Sequence, residues 1–327
     1  MKQNEYVYAS IFADEINGYL ELRKSQKHKV CRERYYFQTL DQYLCCHRCL
    51  EKALTVDTVE GWLLSLPETM HINTRIVYIS HYSQFAKYLH SICIEAFVPE
   101  RPIGTSLYSP YIFSQMEIDA MFTAADDNVS TSRNGKKGAI QFSMILRLLY
   151  GCGLRLDEAL CLRAQDVDIE TGVIYVRKGK GNKDRAVPMD QSLTNILRRY
   201  IDKTINGDDE SALLFPNKNG KPRVQAWARY CFHRVLVGAG IEIPALPRYS
   251  RNICLHCLRH SFAVASFRKQ DKTGVDMYAS APFLSEFLGH DQLDGTETYL
   301  HMTAENSADT IDRTQTYSRG LFPEVPQ

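Results

Sequence analysis

Four short patterns in this chain place charged or nucleophilic side chains at spacings that could do chemistry. In Gly153-Leu154-Arg155-Leu156-Asp157-Glu158, Arg155 and Glu158 stand one helical turn apart, a pairing that on an open surface contributes a few tenths of a kcal/mol. Arg177, Lys178, Lys180, Lys183 and Arg185 crowd one turn-rich stretch against Asp184, and glycines on both sides of Lys180 let the backbone approach an anion closely. His256-Cys257-Leu258-Arg259 sets an imidazole and a guanidinium at i and i+3 of a helix. Leu288-Gly289-His290 is followed by Tyr299 and His301. Each is weak alone. Ten histidines and 39 Lys+Arg predict about one basic residue three after a histidine by chance, and with nineteen tyrosines a single Tyr is by default a core or rim aromatic.

Order adds what the separate patterns lack. Gly-Leu-Arg-x-x-Glu at Gly153–Glu158, Gly-Lys-Gly at Gly179–Gly181, Leu-x-x-Leu-Arg-His-Ser-Phe-Ala at Leu255–Ala263, Leu-Gly-His at Leu288–His290 and Tyr-x-His at Tyr299–His301 follow one another in one segment. In that order the chain resembles the tyrosine recombinase (phage integrase) superfamily. The N-terminal hundred residues are similar only in size, helicity and the neighbourhoods of Trp62 and Phe85–Leu89.

The resemblance implies DNA strand exchange through a covalent 3′-phosphotyrosine, with Tyr299 as nucleophile. A phenol can attack a phosphodiester and leave again on reversal, but with a pKa of about 10 it needs a proton acceptor or a strong positive field. Arg155 and Arg259 would hold the non-bridging phosphate oxygens, since guanidinium is planar and permanently charged. His290 would donate to the same phosphate, His256 would accept or relay the phenolic proton, and Lys180 would protonate the departing 5′-oxygen. Glu158 would support Arg155 and His256 without reacting. Lys178, Lys183, Arg75 and Lys87 would contact DNA. The resemblance implies no metal and no other cofactor. The implied partner is a double-stranded recombination site, bound by a homotetramer on synapsed DNA, with partner recombinases as a further option; a tail past Tyr299 that docks on a neighbouring protomer belongs to the same picture. Asp157, where relatives often carry a small polar residue, and Asp276–Ser285 depart from the family's common form; neither touches the reacting groups. Integration, excision or transposition of a mobile element and Xer-like resolution remain open as roles, and type IB topoisomerase-like relaxation and a catalytically inactive DNA-binding accessory protein remain as alternatives.

These groups must be carried by helices for the most part. The expected fold is mainly α (α+β): an all-helical, SAM-like core-binding domain over 1–104, a linker at about 99–107, and a helical catalytic domain over 108–327 with a small antiparallel hairpin, the DNA breaking-rejoining fold. A length of 327 residues fits two domains. Val7, Ile11, Phe12, Ile16, Tyr19 and Leu20 predict one buried helix face. Asp57 and Glu60 resemble a capping box that opens a short helix ended by Pro67. Ile76 to Leu89 predict a further helix with Arg75, His81 and Lys87 outward. Pro99-Glu100-Arg101-Pro102-Ile103-Gly104 breaks the pattern, and Ser114 with Glu117 forms a second capping box. The polar stretch Asp126–Lys137 predicts an exposed loop, Ile140–Leu149 a buried helix, and Val173–Val176 with Arg185–Pro188 a hairpin. Helices follow over Leu193–Ile201, Val224–Leu236 and His256–Phe267.

Composition excludes other classes. A chain 44% hydrophobic and 24% charged is neither disordered nor fibrous. Lys+Arg of 39 against Asp+Glu of 38 rules out a uniformly basic coat, but not a local basic groove. Without an apolar leader or a membrane-length apolar run, the expected location is cytoplasmic, at the nucleoid, with no membrane partner. Cys45-Cys46-His47-Arg48-Cys49 has the spacing of half a zinc site; with no second ligand pair beyond His28 and Cys31, the expectation is buried or half-buried thiols on a helix that runs through them.

Overall fold

A computed structural model describes residues 6–28, 30–100, 110–131, 136–177, 184–204, 209–244, 252–290, 296 and 299–300. The chain divides into two compact units, residues 1–108 and 109–327.

The first unit is four helices, α1 (Ala13–Ser25), α2 (Cys31–Cys46), α3 (Val56–Ser65) and α4 (Ile72–Ser91). Phe12, Ile16, Tyr19, Phe37, Leu40, Trp62, Tyr82 and Phe85 close its core, each contributing about 2 kcal/mol or more by burial. Val7 lies ahead of α1 and is 81% exposed, so the buried face begins at Phe12 rather than at Val7. The cap of α3 is Thr55, whose hydroxyl accepts from the Thr58 N–H, not Asp57. Helix α2 runs through Cys45 and stops at Cys46, with Arg48 left-handed just beyond. Cys45 and Cys46 are exposed and only Cys49 is half-buried, because the stripe that faces the core is Phe37, Leu40, Asp41 and Leu44.

In the second unit α5 (Gln115–Thr131) opens on the expected capping box: the Ser114 N–H donates to Glu117 at 2.8 Å and the Glu117 N–H to the Ser114 hydroxyl at 3.3 Å. Helix extends through Asp126–Thr131, where polarity alone suggested loop. Asp126 holds Ser143 and Arg147 of α6 (Lys136–Gly151), which ties this part of α5 to its neighbour as helix. The apolar face of α6 packs against α5, α8 (Gln191–Thr204), α9 (Gln225–Gly238) and α10 (His256–Lys272). The short α7 (Leu156–Cys161) leads to a three-stranded antiparallel sheet, β1 (Val167–Asp168), β2 (Val173–Val176) and β3 (Arg185–Pro188), in the order β1-β2-β3. The hairpin registers Val173 with Pro188 and Val176 with Arg185; β1, two residues long, carries too little pattern to be read from sequence.

Helix α10 joins two cores. Its first turn, with Cys257 and Leu258, packs into the main cluster, while Ala263, Val264 and Phe267 pack with α11 (Met277–Leu288), Tyr299 and Leu300. Helix α11 was not expected; Asp276 caps it and Gly289, left-handed at φ 67°, ends it. No helix among the described residues is long and apolar enough to cross a membrane.

Candidate active site

Arg155 is the N-cap of α7, and Glu158 is the third residue of that helix. This spacing lets one carboxylate both cap and clamp: Glu158 accepts from the Arg155 backbone N–H at 2.8 Å and from the Arg155 guanidinium at 3.0 Å. Arg185 reaches Glu158 from β3 with two N–H groups, at 2.9 and 2.7 Å, and sends its Nε–H to the Phe287 carbonyl at 2.9 Å. Strand alternation explains its direction, because Arg185 shares a face with buried Val187. Burial works to raise the Glu158 carboxyl, but the hydrogen bonds from Arg185 and Arg155 and the charge of Arg185 outweigh it and hold it at about 2. Glu158 is thus a permanent anion.

Arg259 sits one turn into α10 and is 1% exposed. Its guanidinium donates to the Gly153 carbonyl at 2.7 Å and to the Leu288 carbonyl at 2.5 Å. Arg155 likewise donates to the Gly289 carbonyl at 2.6 Å. Each guanidinium carries five N–H groups and, among the described residues, directs two at protein oxygens, which leaves others to face an anion. The Nε of Arg259 is buried with no hydrogen-bond partner among the described residues, a cost that a bound anion would relieve. Burial, and then the charge of Arg155, push the Arg259 guanidinium down from its ordinary value, yet it stays cationic at neutral pH.

Gly153 makes the approach of these segments feasible. It is left-handed at φ 57°, and a Cβ there would come within 2.8 Å of both Phe262 and Leu288.

Tyr299 is 3% exposed and packs among Ala263, Phe267 and Leu288. Its hydroxyl lies 2.7 Å from Nδ1 of His260. The ring of His256, at the exposed start of α10, stands edge-on to that of His260 with centroids 4.6 Å apart. His290 stacks over Tyr299 with centroids 6.2 Å apart, and its Nδ1 is bonded to the Thr296 hydroxyl at 2.8 Å. Burial raises the Tyr299 phenol above its ordinary value, while Arg259 and Arg155 pull it back. The arrangement offers a nucleophile out of bulk water, an imidazole within hydrogen-bond distance of its hydroxyl, and two fixed cations beside it, a combination suited to transferring a group through an anionic transition state.

Of the residues singled out in the sequence, Arg155, Glu158, His256, Arg259, His290 and Tyr299 come together here. Lys180, Lys178, Lys183 and His301 lie outside the described residues. Arg75 and Lys87 belong to the first unit. Lys87 is exposed on α4, whereas the Arg75 guanidinium donates to the carbonyls of Leu63, Leu66 and Pro67 and so closes the end of α3. His81 is not on an outer face: it turns inward to the buried Glu33, 3.3 Å away. Sequence reasoning missed three members of the cluster. Arg185 was grouped with the basic hairpin tip although it precedes buried Val187 by two residues. His260 follows Arg259 directly, one turn after His256, and that spacing was its signal. Thr296 carried none.

Residues 112–306, more than half of the chain and all within the second unit, match the model of the phage integrase family. A tyrosine recombinase XerA of Thermococcus kodakarensis is 35% identical over 166 residues, covering 50% of this chain and 51% of that protein, so the chain spans about half the length of that relative. A tyrosine recombinase XerA of Pyrococcus horikoshii is 28% identical over 321 residues, with 96% of each protein covered. Among solved structures, the integrase of the Tn1549 transposon, in complex with a circular intermediate DNA, superposes with a TM-score of 0.62 at 17% identity, covering 93% of this chain and 98% of that one; at that identity the likeness speaks for the fold alone.

Proposed function

Because this chain belongs to the phage integrase family, we propose that it is a site-specific DNA recombinase that cuts and rejoins strands through a 3′-phosphotyrosine on Tyr299. The observation that carries this reading is the meeting of one buried phenol with two guanidinium groups and three imidazoles, drawn from the start of α7, from α10 and from the turn after α11. Arg155 and Arg259 bind the scissile phosphate and offset the charge that grows as the phosphorus becomes five-coordinate. Carbonyls of Gly153, Leu288 and Gly289 aim them beforehand. His290 donates to the same phosphate, His256 accepts or relays the phenolic proton, and Glu158 acts as a positioning residue that fixes Arg155. Lys180, carried over from the family resemblance, protonates the 5′-oxygen as it leaves. A 5′-hydroxyl of the partner strand then attacks the phosphotyrosine and regenerates Tyr299.

The first unit is the core-type DNA-binding domain, with Lys87 and the remaining N–H groups of Arg75 on the duplex. Lys178 and Lys183 add phosphate contacts from the second unit. The working assembly is a homotetramer on two synapsed sites, DNA-associated in the cytoplasm and open to partner recombinases. A supercoiled plasmid carrying two copies of the DNA that flanks the gene tests this. Exchange between the copies, lost in Tyr299→Phe, is the expected result. Relaxation without exchange would instead indicate a topoisomerase, and binding without cleavage an accessory protein.

A further inference from the structure

We propose that Cys254 and Cys257 form a redox modification site at the head of α10, where a hydroperoxide oxidises the two thiols to a disulfide that slows strand cutting until a dithiol reduces it. Only the effect on cutting rests on the recombinase reading; the bridge itself does not. The two sulfurs lie 3.8 Å apart, and the Cys254 backbone N–H donates to the Cys257 sulfur at 3.4 Å. The backbone already has the shape a bridge needs. The Cys257 N–H donates to the Cys254 carbonyl at 2.9 Å, closing a turn of the kind that brings its first and fourth Cα atoms within about 7 Å. Disulfides span Cα separations of about 4.4–6.8 Å. Leu255, between the two, is in the right-handed helical region, and α10 proper begins at His256.

The thiols differ as an attacking and a resolving partner should. Cys254 is exposed and lines a cavity of about 420 Å³ shared with His233 and His256, so a small oxidant reaches it. Cys257 is 1% exposed, and hydrogen bonding to Cys254, followed by burial, pushes its thiol up. First attack therefore falls to Cys254. Its sulfur bonds to one peroxide oxygen, the O–O bond breaks, and the other oxygen leaves with the electron pair and takes the Cys254 proton. With hydrogen peroxide the products are a sulfenic acid and water. The Cys257 sulfur then attacks the Cys254 sulfur, the S–O bond breaks, and the hydroxyl leaves as water with the Cys257 proton. The two thiols lose two electrons and the peroxide gains them. A dithiol reverses the bridge by exchange. An exposed thiol beside a resolving one is the arrangement that senses oxidants in reducing compartments.

The bridge reaches the active site through the turn it closes. The sulfur separation must fall from 3.8 Å to about 2.05 Å. Cys257 is anchored: it belongs to the main core, and its carbonyl accepts from the Ser261 hydroxyl at 2.9 Å, which in turn accepts from the Phe113 N–H at 2.8 Å. The movement therefore falls on Cys254 and the turn after it, which carries His256 in ring contact with His260. A displacement on the order of 1 Å at a reacting group typically costs about 10²-fold in rate.

The test treats the full chain with hydrogen peroxide, alkylates the remaining thiols and reads tryptic peptides by mass spectrometry. Cleavage after Arg251 and Arg259 releases Asn252–Arg259 with both cysteines. The expected product is this peptide lighter by two hydrogens and without alkyl groups, returning to the doubly alkylated form after dithiothreitol. In parallel, the single-turnover rate of Tyr299 adduct formation on a nicked duplex should fall about 10–10²-fold with peroxide and recover with dithiothreitol. Cys254→Ser should match reduced wild type and keep its rate in peroxide, which assigns the loss to this pair among the ten cysteines. A peptide still doubly alkylated after peroxide, a bridge that leaves the rate unchanged, or an equal loss in Cys254→Ser would each overturn the proposal. A bridge in a protein that forms no Tyr299 adduct even when reduced would refute the recombinase reading, while the modification site would stand.

Discussion

Glu158→Gln removes one negative charge from the point where Arg155, Arg185 and the backbone of α7 converge, and changes almost nothing in shape. Holding that carboxyl at about 2 rather than its ordinary 4.5 corresponds to about 3 kcal/mol, at 1.36 kcal/mol for each tenfold change in proton affinity. The conversion is warranted because only 8% of the Glu158 side chain is exposed. The same substitution leaves Arg185, also 8% exposed, as an uncompensated charge, a situation that typically costs about 3–5 kcal/mol. For a unit of this size about 1 kcal/mol moves a thermal midpoint by roughly 2–4 °C, so Glu158→Gln should melt roughly 6–12 °C below wild type at pH 7. The sign with pH follows from the depressed carboxyl: its contribution is complete above the unfolded value near 4.5 and disappears as pH falls toward 2. The two proteins should therefore melt progressively closer together below pH 4.5. Paired calorimetric scans at pH 7, 5 and 4 measure this. A midpoint within 2 °C of wild type at pH 7, or a gap that widens on acidification, would refute the argument.

Gly153→Ala forces a side chain into a left-handed residue and against Phe262 and Leu288, both within 2.8 Å of the new methyl. It should cost about 1–2 kcal/mol in backbone strain alone and also slow adduct formation, because the Gly153 carbonyl aims Arg259; a variant as active and stable as wild type would contradict the packing. Lys180→Ala should be partly rescued by a substrate with sulfur at the 5′-bridging position, since a better leaving group needs no acid. An equal defect on both substrates would remove Lys180 from that role.

How much of this could be read from the sequence differs between fold and site. Helices with strong apolar stripes, such as α4 and α6, follow from periodicity because one face meets a core. Asp126–Thr131 misled because Asp126 bonds sideways to Ser143 and Arg147, a tertiary effect that local polarity does not carry. Cys45 and Cys46 misled for a related reason: they fall on the open side of α2, off the stripe formed by Phe37, Leu40 and Leu44. In the site, Arg155, His256, Arg259, His290 and Tyr299 were found by their order along the chain. Arg185 and His260 were not, because their importance arises from strand alternation and from a contact between segments 39 residues apart.

The central claim is that the Tyr299 hydroxyl becomes esterified to a DNA 3′-phosphate. Incubating wild type with nicked duplex containing its site, digesting the adduct and sequencing the nucleotide-bearing peptide by mass spectrometry tests it most directly. The account predicts a single modified peptide carrying the nucleotide on Tyr299, and none in Tyr299→Phe. A nucleotide on any other residue, or cleavage that persists in Tyr299→Phe, would contradict it.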